Sequence, residues 1–163
     1  MEVTIIKAGL EDCEQIHEMQ VASFIELLEK YKDYNTNPAA ESVERIKERL
    51  EQDFTDYYLI RFGAKIIGAI RIVKLNKKSC RISPMFILPE YQGNGYAQQV
   101  IKAVELLYEK AEHWELDTIM QEPKLCYLYE KMGYAITGKE EIIHDNMTII
   151  SYAKYKHDAT GNL

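Results

Sequence analysis

The stretch that decides the fold reads Phe86-Ile87-Leu88-Pro89-Glu90-Tyr91-Gln92-Gly93-Asn94-Gly95-Tyr96-Ala97. An apolar run stops at a proline, a glycine-punctuated turn follows, and a helix-period pattern then begins. The two glycines can adopt positive φ angles and leave no Cβ between the backbone and a ligand. This order predicts a cradle of backbone N–H groups at the start of a helix, an arrangement that binds phosphate.

The helix after this turn leaves its positive dipole end uncompensated. Apolar residues recur at helical spacing from Ala97 through Val104 to Ala111, which predicts the strongest helix of the chain. Its first two turns contain no acidic residue, although Asp and Glu are favoured in a first turn. The N-terminus of this helix is therefore free to bind an external anion.

Size and charge narrow the classes of function. The chain has 163 residues, of which 47% are hydrophobic and 28% are charged, and this predicts one globular domain with a proper core. The net charge is −6, from 20 basic and 26 acidic residues, so nucleic acid is not an expected partner. A negative surface instead favours a cationic small substrate.

The cysteines and the N-terminus indicate a cytoplasmic protein. Cys13, Cys80 and Cys126 are widely spaced and odd in number, so we expect a reducing compartment and no disulfide framework. The first residues lack the features of a signal peptide, and no apolar run is long enough to span a membrane. The 4 histidines show no metal-ligand spacing, so no metal is expected.

Hydrophobic periodicity predicts one α/β domain over residues 1–156, in the order β-α-α-β-β-β-α-β-α-β-β, and a polar tail at residues 157–163. Three local predictions are specific. Asn37 and Pro38 are expected to begin the second helix, as its cap and first residue. Pro84 predicts a bulge or a free edge in the strand at residues 80–88. Two closing strands, at residues 134–137 and 147–155, are expected to flank a connection at residues 138–146.

Two motifs make the chain resemble the GCN5-related N-acetyltransferase (GNAT) superfamily. The family's acetyl-CoA signature is Gln or Arg, two residues, Gly, one residue, then Gly or Ala, and this chain has Gln92-Gly93-Asn94-Gly95-Tyr96-Ala97. Gln92 replaces the commoner Arg, and Ala97 replaces Gly. Downstream, a second family segment is matched by Leu128-Tyr129-Glu130-Lys131-Met132-Gly133-Tyr134. The resemblance covers nearly the whole chain.

The resemblance implies a fold and a cosubstrate. The fold would be a mixed, mostly antiparallel sheet of roughly six to seven strands, flanked by about four helices, with a splayed strand pair that forms an acetyl-CoA cleft. The main chain of Phe86, Ile87 and Leu88 would pair with the pantetheine arm of the coenzyme, as an added strand pairs with a sheet edge. The diphosphate would be held by Gln92, Gly93, Asn94, Gly95, Tyr96 and Ala97.

The resemblance also implies an N-acetyltransferase that acts by direct attack of an amine in a ternary complex. The family commonly places a tyrosine near the CoA sulfur, and Tyr129 occupies that position. A phenol with a pKa of about 10 is protonated at neutral pH and can act as the general acid. Glu122 is a candidate base beside the gap, at a position where the family often has Asn; Glu26 and a water chain stay open as alternatives. Cys126 is expected to be an inert thiol rather than an acyl carrier.

The acceptor pocket is expected to be built by the first two helices and their connection. Phe24, Glu26 and Tyr31 are predicted wall residues, and Arg81 lies on a strand that could face the same cleft. Arg81 would suit an acceptor with a carboxylate, whereas Glu26 would suit an amine. The acceptor therefore stays open between a small-molecule amine and a peptide or protein amine. A homodimer is a further expectation that rests on the resemblance alone.

Two other functions stay open. The chain could be a non-catalytic, regulatory CoA-binding module that kept the cradle and lost the chemistry, or an acyltransferase that uses a longer acyl-CoA. The presence of Tyr129 favours catalysis over simple binding. Turnover with a panel of amines separates the first alternative, and competition among acyl-CoAs separates the second.

Overall fold

The fold is a mixed α/β architecture, and the computed structural model describes residues 2–156. Within them, strands and helices follow the predicted order. Their bounds are β1 (Val3–Lys7), α1 (Cys13–Tyr31), α2 (Val43–Leu50), β2 (Thr55–Phe62), β3 (Lys65–Lys74), β4 (Ser79–Ile87), α3 (Tyr96–Leu107), β5 (His113–Ile119), α4 (Pro123–Lys131), β6 (Ala135–His144) and β7 (Met147–Tyr155). The tail predicted at residues 157–163 lies outside the described residues. None of the described helices is both long and apolar enough to cross a bilayer.

The strands form one seven-stranded sheet in the order β1-β2-β3-β4-β5-β7-β6. Neighbouring strands are antiparallel except β4 and β5, which are parallel. These two strands pair only near their beginnings, from Ser79 opposite His113 to Arg81 opposite Glu115. Beyond Arg81 they diverge and leave a gap in the sheet. The predicted mixed, mostly antiparallel sheet with a splayed pair is confirmed.

Helices cover both faces of the sheet because successive strand residues point to opposite sides. On one face, Ile60 of β2 packs in a cluster with Ile101 of α3 and Tyr129 of α4. On the other face, its neighbour Leu59 packs in a cluster with Ile16 of α1. Full burial of an aliphatic side chain contributes about 1.5–3 kcal/mol, so these two layers hold the helices firmly on either side of the gap.

The second helix begins later than predicted. Asn37 accepts a hydrogen bond from the N–H of Ala39, but it caps only a short 3-10 turn over Pro38–Ala40. The α-helix begins at Val43, where the Ser42 side chain accepts a bond from the N–H of Arg45. The cap-and-proline pattern is therefore real, and the expectation that it starts α2 is wrong.

The last hairpin is longer than predicted. Residues 138–144 were expected to lie in a connection, but they belong to β6, which continues to His144 opposite Met147 of β7. Gly138 has a φ of 94° and lies where the pairing register shifts between Ile136 and Glu140. A glycine inside a strand commonly marks such an irregularity, and β7 supplies the hydrogen-bonding partner that keeps the strand going.

The irregularity predicted at Pro84 is confirmed. The pairing of β3 with β4 shifts register between Ile70 and Ile72, opposite this part of β4. The Arg71 side chain, at the shift, donates a 2.8 Å hydrogen bond from Nη1 to the carbonyl of Ser83. A side chain thus satisfies a carbonyl at the bulge, in the part of β4 that borders the gap.

Candidate active site

A cleft opens where β4 and β5 diverge. It has a volume of about 850 Å³ and is lined by α1, the end of β4, the turn after β4, the first turn of α3, and α4. Phe24 of α1 meets Phe86 of β4 edge-on, with ring centroids 5.9 Å apart. This aromatic contact closes one wall, so the cleft runs from the glycine turn toward the C-terminal part of α1.

The glycine turn presents free amides to the cleft. Gly93 and Gly95 have φ angles of 81° and 79°, and Gly95 caps α3 without a side-chain hydrogen bond. Across the described chain, the N–H groups of residues 93–98 donate to no carbonyl or side chain. A Cβ added at either glycine would meet no atom within 4 Å. Unpaired donors, a helix N-terminus and open space above the glycines fit a diphosphate.

The side chains of Gln92 and Asn94 stabilise this turn by hydrogen bonds to backbone carbonyls. The N–H of Gln92 donates to the Pro89 carbonyl at 3.2 Å, so this amide already has an acceptor within the turn. The Gln92 side chain donates a 2.8 Å bond to the carbonyl of Ile87. The Asn94 side chain is exposed outside the cleft and donates to the carbonyls of Tyr91 and Gln92. The cradle therefore begins at Gly93 and extends to Gln98, one residue beyond the predicted range.

The edge of β4 that faces the gap is set by strand alternation. The N–H of Leu88 donates to a β3 carbonyl at 2.8 Å, and the carbonyl of Phe86 lies directly against Gly68 of β3. Hydrogen-bonding directions alternate along a strand, so Met85 and Ile87 turn their main chain toward the gap. The main chain of Phe86 and Leu88 faces β3 instead, and Phe86 lines the cleft.

Tyr129 lies on α4 and lines the cleft while being largely buried. Its ring packs against Tyr134 and Tyr152, with centroids 6.3 and 6.2 Å away. Those two neighbours donate their hydroxyls to glutamates, but the Tyr129 hydroxyl has no such partner among the described residues. Burial, with a smaller effect of Cys126, raises the pKa of Tyr129 to about 12. The phenol is therefore protonated at neutral pH.

Glu122 lines the cleft at the start of α4, but its carboxylate is already engaged. Oε2 accepts hydrogen bonds from Lys30 Nζ at 2.7 Å and from the Tyr31 hydroxyl at 2.5 Å. Partial burial acts to raise the pKa of Glu122, but the bonds from Lys30 and Tyr31 outweigh it and lower the pKa. A carboxylate with a lowered pKa is a weaker base, so this geometry favours the binding of a cation over the removal of a proton.

The comparison with protein families decides the identity of this fold. The chain matches the family model described as an acetyltransferase (GNAT) domain over residues 15–156. It belongs to the GNAT acetyltransferase family. The expected family and enzyme class are thereby confirmed.

Solved acetyltransferases share the GNAT fold of this chain at low sequence identity. A spermidine N-acetyltransferase from Vibrio cholerae, in complex with CoA and spermine, is 17% identical with a TM-score of 0.74, over 95% of this chain and 96% of that chain. A ribosomal-protein alpha-N-acetyltransferase in complex with coenzyme A is 12% identical with a TM-score of 0.73, over 97% of each chain. An acetyltransferase from Thermus thermophilus is 12% identical with a TM-score of 0.73, over 95% of this chain and 97% of that chain. No curated protein matches this GNAT chain in sequence.

The predicted acceptor residues of this GNAT domain separate into three positions. Phe24 and Glu26 line the cleft directly. Tyr31 is buried and reaches the cleft only through its bond to Glu122. Arg81 lies outside the lining, because it pairs with Asp117 at 2.5 Å and with another carboxylate of β5. The acidic member of the predicted set, Glu26, thus lines the cleft and the basic one, Arg81, does not.

Cys126 gives no support to a covalent mechanism in this GNAT domain. Its thiol lies 3.8 Å from the carbonyls of Ile119 and Met120, and it is absent from the cleft lining. A nucleophilic thiol needs a base beside it, and these contacts are carbonyls. In the part of the chain described, no cluster of His, Cys, Asp and Glu could hold a metal ion.

Several lining residues were not predicted from the sequence, among them Met85, Gln98 and Tyr127. The alternation of hydrogen-bonding directions along β4 could have identified Met85. The free N–H groups of a first helical turn could have identified Gln98. Tyr127 lies on the helix of Tyr129, and no pattern in the sequence distinguishes an exposed cleft tyrosine from one that faces only solvent.

Proposed function

We propose that this protein transfers the acetyl group of acetyl-CoA to a primary amine by direct attack in a ternary complex. The observation that carries the proposal is that the free amides of residues 93–98 and the hydroxyl-bearing Tyr129 share one cleft. The amides and the dipole of α3 suit the coenzyme's diphosphate. The gap-facing main chain of Met85 and Ile87 suits its pantetheine arm.

Tyr129 is the proposed general acid. Acetyl-CoA supplies a thioester whose sulfur must be protonated as it leaves. The Tyr129 hydroxyl has no competing acceptor among the described residues, and its pKa of about 12 keeps it protonated. Its largely buried position limits water near the proton that it would donate, and a donor placed in advance needs little reorganisation during the reaction.

The proposed acceptor is an amine that is cationic in solution. Glu26 and Glu122 both line the cleft, against the single basic lining residue Lys124, and the whole chain carries a net charge of −6. A negative cleft attracts an ammonium group. The amine must lose a proton before attack, and Glu26 or a water molecule is the proposed acceptor of that proton, because Glu122 already has its Oε2 bonded to Lys30 and Tyr31.

Two of the similar structures support an amine as the acceptor, and they differ in whether that amine is a small molecule or part of a protein. One is a spermidine N-acetyltransferase bound to spermine, and the other is a ribosomal-protein alpha-N-acetyltransferase. We therefore propose a small-molecule amine or a peptide or protein amine as the acceptor class. Glu26 is exposed where α1 lines the cleft, so either kind of amine can approach it there.

The test is turnover of acetyl-CoA with a panel of diamines, amino acids and peptides, read as the release of free CoA thiol. The proposal predicts acceptor-dependent thiol release. Acetyl-CoA binding without acceptor-dependent release would support a non-catalytic CoA-binding module instead. Competition between acetyl-CoA and longer acyl-CoAs in the same assay tests the acyl preference.

A further inference from the structure

The ammonium of Lys30 occupies a site that is built for a cation. Its Nζ lies 2.7 Å from Glu122 Oε2 and 5.1 Å from the centroid of the Tyr31 ring. A carboxylate together with an aromatic face is a combination that binds ammonium groups. The cation that fills this site comes from the protein itself, and it does so beside the cleft that Glu122 lines.

The two groups that surround this ammonium are held in place. Tyr31 is only 3% exposed, and its hydroxyl donates to Glu122 at 2.5 Å. The backbone carbonyl of Tyr31 is in turn bonded to a ring nitrogen of His144, which ends β6. The last hairpin therefore holds the end of α1, and the Tyr31 hydroxyl joins that end of α1 to the carboxylate at the start of α4. Such fixed groups keep their orientation whether or not Lys30 is present.

Lys30 itself is held weakly. Its side chain is 57% exposed, compared with 21% for Glu122, so solvent screens the ion pair from the lysine side. Exposed ion pairs contribute little to stability, and holding a long lysine side chain in one geometry costs side-chain entropy. An external ammonium can therefore replace Lys30 while Glu122 and Tyr31 stay where they are.

We propose that Glu122 and Tyr31 form a subsite for a second positive charge on the acceptor, and that Lys30 fills this subsite until the acceptor displaces it. The inference rests on the proposed function for the identity of the acceptor. It makes the chain selective for acceptors with two cationic groups, such as diamines or basic peptides. The amine that reacts lies toward Tyr129, and the second ammonium lies at Glu122.

The experiment measures binding by calorimetry with CoA at saturation, using 1,4-diaminobutane and 1-aminobutane as probes. Lys30→Met removes the resident cation and is expected to tighten diamine binding roughly two- to fivefold, the range released by an exposed ion pair. Lys65→Met is the matched control, because Lys65 is an exposed lysine of the β2–β3 hairpin and its loss changes the net charge equally. Lys30→Gln provides a second variant in case the first does not fold.

Glu122→Gln is expected to weaken diamine binding about tenfold, as for a lost charge-assisted bond, and to weaken monoamine binding by a smaller factor. The inference is overturned if Lys30→Met and Lys65→Met act alike, or if Glu122→Gln weakens both probes equally. Because binding is read without turnover, selective diamine binding in a protein that releases no thiol would refute the proposed function alone. Turnover without diamine selectivity would refute this inference alone.

Discussion

The side-chain amide of Gln92 donates a 2.8 Å hydrogen bond to the carbonyl oxygen of Ile87. This bond joins the end of β4 to the turn that carries the free amides. Arg is commoner than Gln at this position of the family signature, and Gln92 lacks the charge that an Arg would offer to a phosphate. In this chain the residue acts instead as a brace, which holds the strand edge and the cradle at a fixed separation.

Removing the brace should weaken acetyl-CoA binding without changing the chemical step. One hydrogen bond contributes about 1 kcal/mol, so Gln92→Ala is expected to raise the Kd for acetyl-CoA about fivefold and to leave kcat unchanged. Calorimetry and steady-state kinetics measure the two quantities. Gln15→Ala, at an exposed position of α1, is the control. An unchanged Kd in Gln92→Ala would show that the turn keeps its shape without this bond.

The two cradle glycines should be needed for the ligand more than for the fold. A Cβ at Gly95 meets no protein atom within 4 Å but carries the strain of a φ near 79°. Gly138, far from the cleft in β6, has the same empty surroundings at a φ of 94°. Alanine in a left-handed conformation costs about 1–2 kcal/mol, so Gly95→Ala and Gly138→Ala should destabilise the protein to a similar extent in urea.

Only the cradle variant should lose the coenzyme. A Cβ added at Gly95 would occupy open space at a residue that lines the cleft, so Gly95→Ala is expected to weaken acetyl-CoA binding by about tenfold or more, of the order of one or more lost charge-assisted hydrogen bonds. Gly138→Ala should bind acetyl-CoA as the unmodified protein does. Equal affinity in the two variants, measured by calorimetry, would place the diphosphate elsewhere.

Replacing the proposed acid should slow chemistry and spare binding. Tyr129→Phe keeps the ring that packs against Tyr134 and Tyr152 and removes the proton donor. General acid catalysis commonly contributes about 10²- to 10⁴-fold, so kcat should fall by at least the lower figure while the Kd for acetyl-CoA changes little. Tyr155→Phe, at an exposed tyrosine of β7, is the control.

The same assignment has a consequence for pH dependence. A phenol with a pKa of about 12 remains protonated throughout the range in which the protein is assayed. Deprotonation of Tyr129 should therefore cause no fall in kcat between neutral pH and about pH 10. A falling alkaline limb that vanishes in Tyr129→Phe, in a rate profile limited by chemistry, would contradict this value.

Asp56 should stabilise the fold only above acidic pH. It accepts bonds from Lys7 at 2.7 Å and Tyr108 at 2.5 Å. Burial acts to raise the pKa of Asp56, but these bonds and the charges of Lys7 and Lys74 outweigh it and lower the pKa. A carboxyl whose pKa is lower in the folded state stabilises it above the unfolded pKa, about 3.9, and that contribution is lost as pH falls through the folded value.

The measurement is urea unfolding of Asp56→Asn at pH 7 and in acid. Hydrogen bonds to a charged group contribute about 1.5–3 kcal/mol, so the variant should be less stable by about that amount at pH 7. The difference should shrink below about pH 4, because Asp56 of the unfolded chain takes up its proton there, and it is lost as the pH falls through the lower pKa of the folded state. Asp53→Asn, at an exposed position, should show neither effect. A difference that persists unchanged into acid would mean that Asp56 acts through shape rather than charge.

Local patterns predicted the elements because local forces decide them. The apolar spacing of α3 and the glycine turn before it appear in the sequence as they do in the fold. The start of α2 was misplaced because Asn37 and Ser42 are both good caps, and the sequence does not say which of them a longer helix will use. Residues 138–144 looked like a loop, since only the distant strand β7 makes them a strand.

In the candidate site, too, local sequence predicts the features that depend on neighbouring residues and not those that depend on distant ones. The cradle follows from neighbouring residues, so its position was predictable to within one residue at each end. The state of Glu122 was not, because its partners Lys30 and Tyr31 lie 92 and 91 positions away in the chain. A candidate base thereby became a bonded carboxylate through contacts that no local motif contains. Arg81 was likewise predicted to face the acceptor. Its ion-pair partner Asp117 lies on another strand, so the sequence does not show that the guanidinium is already paired.

Arg81 lies where the pairing of β4 with β5 stops. Its ion pairs with Glu115 and Asp117 hold the two strands together at that end. At the opposite end nothing in the backbone ladder bridges them. A coenzyme arm that is hydrogen-bonded along β4 would add main-chain bonds in the gap. A bound coenzyme should therefore stabilise the folded protein. Saturation to about 100 times Kd adds about 2.7 kcal/mol to the free energy of unfolding, and the melting temperature should rise accordingly.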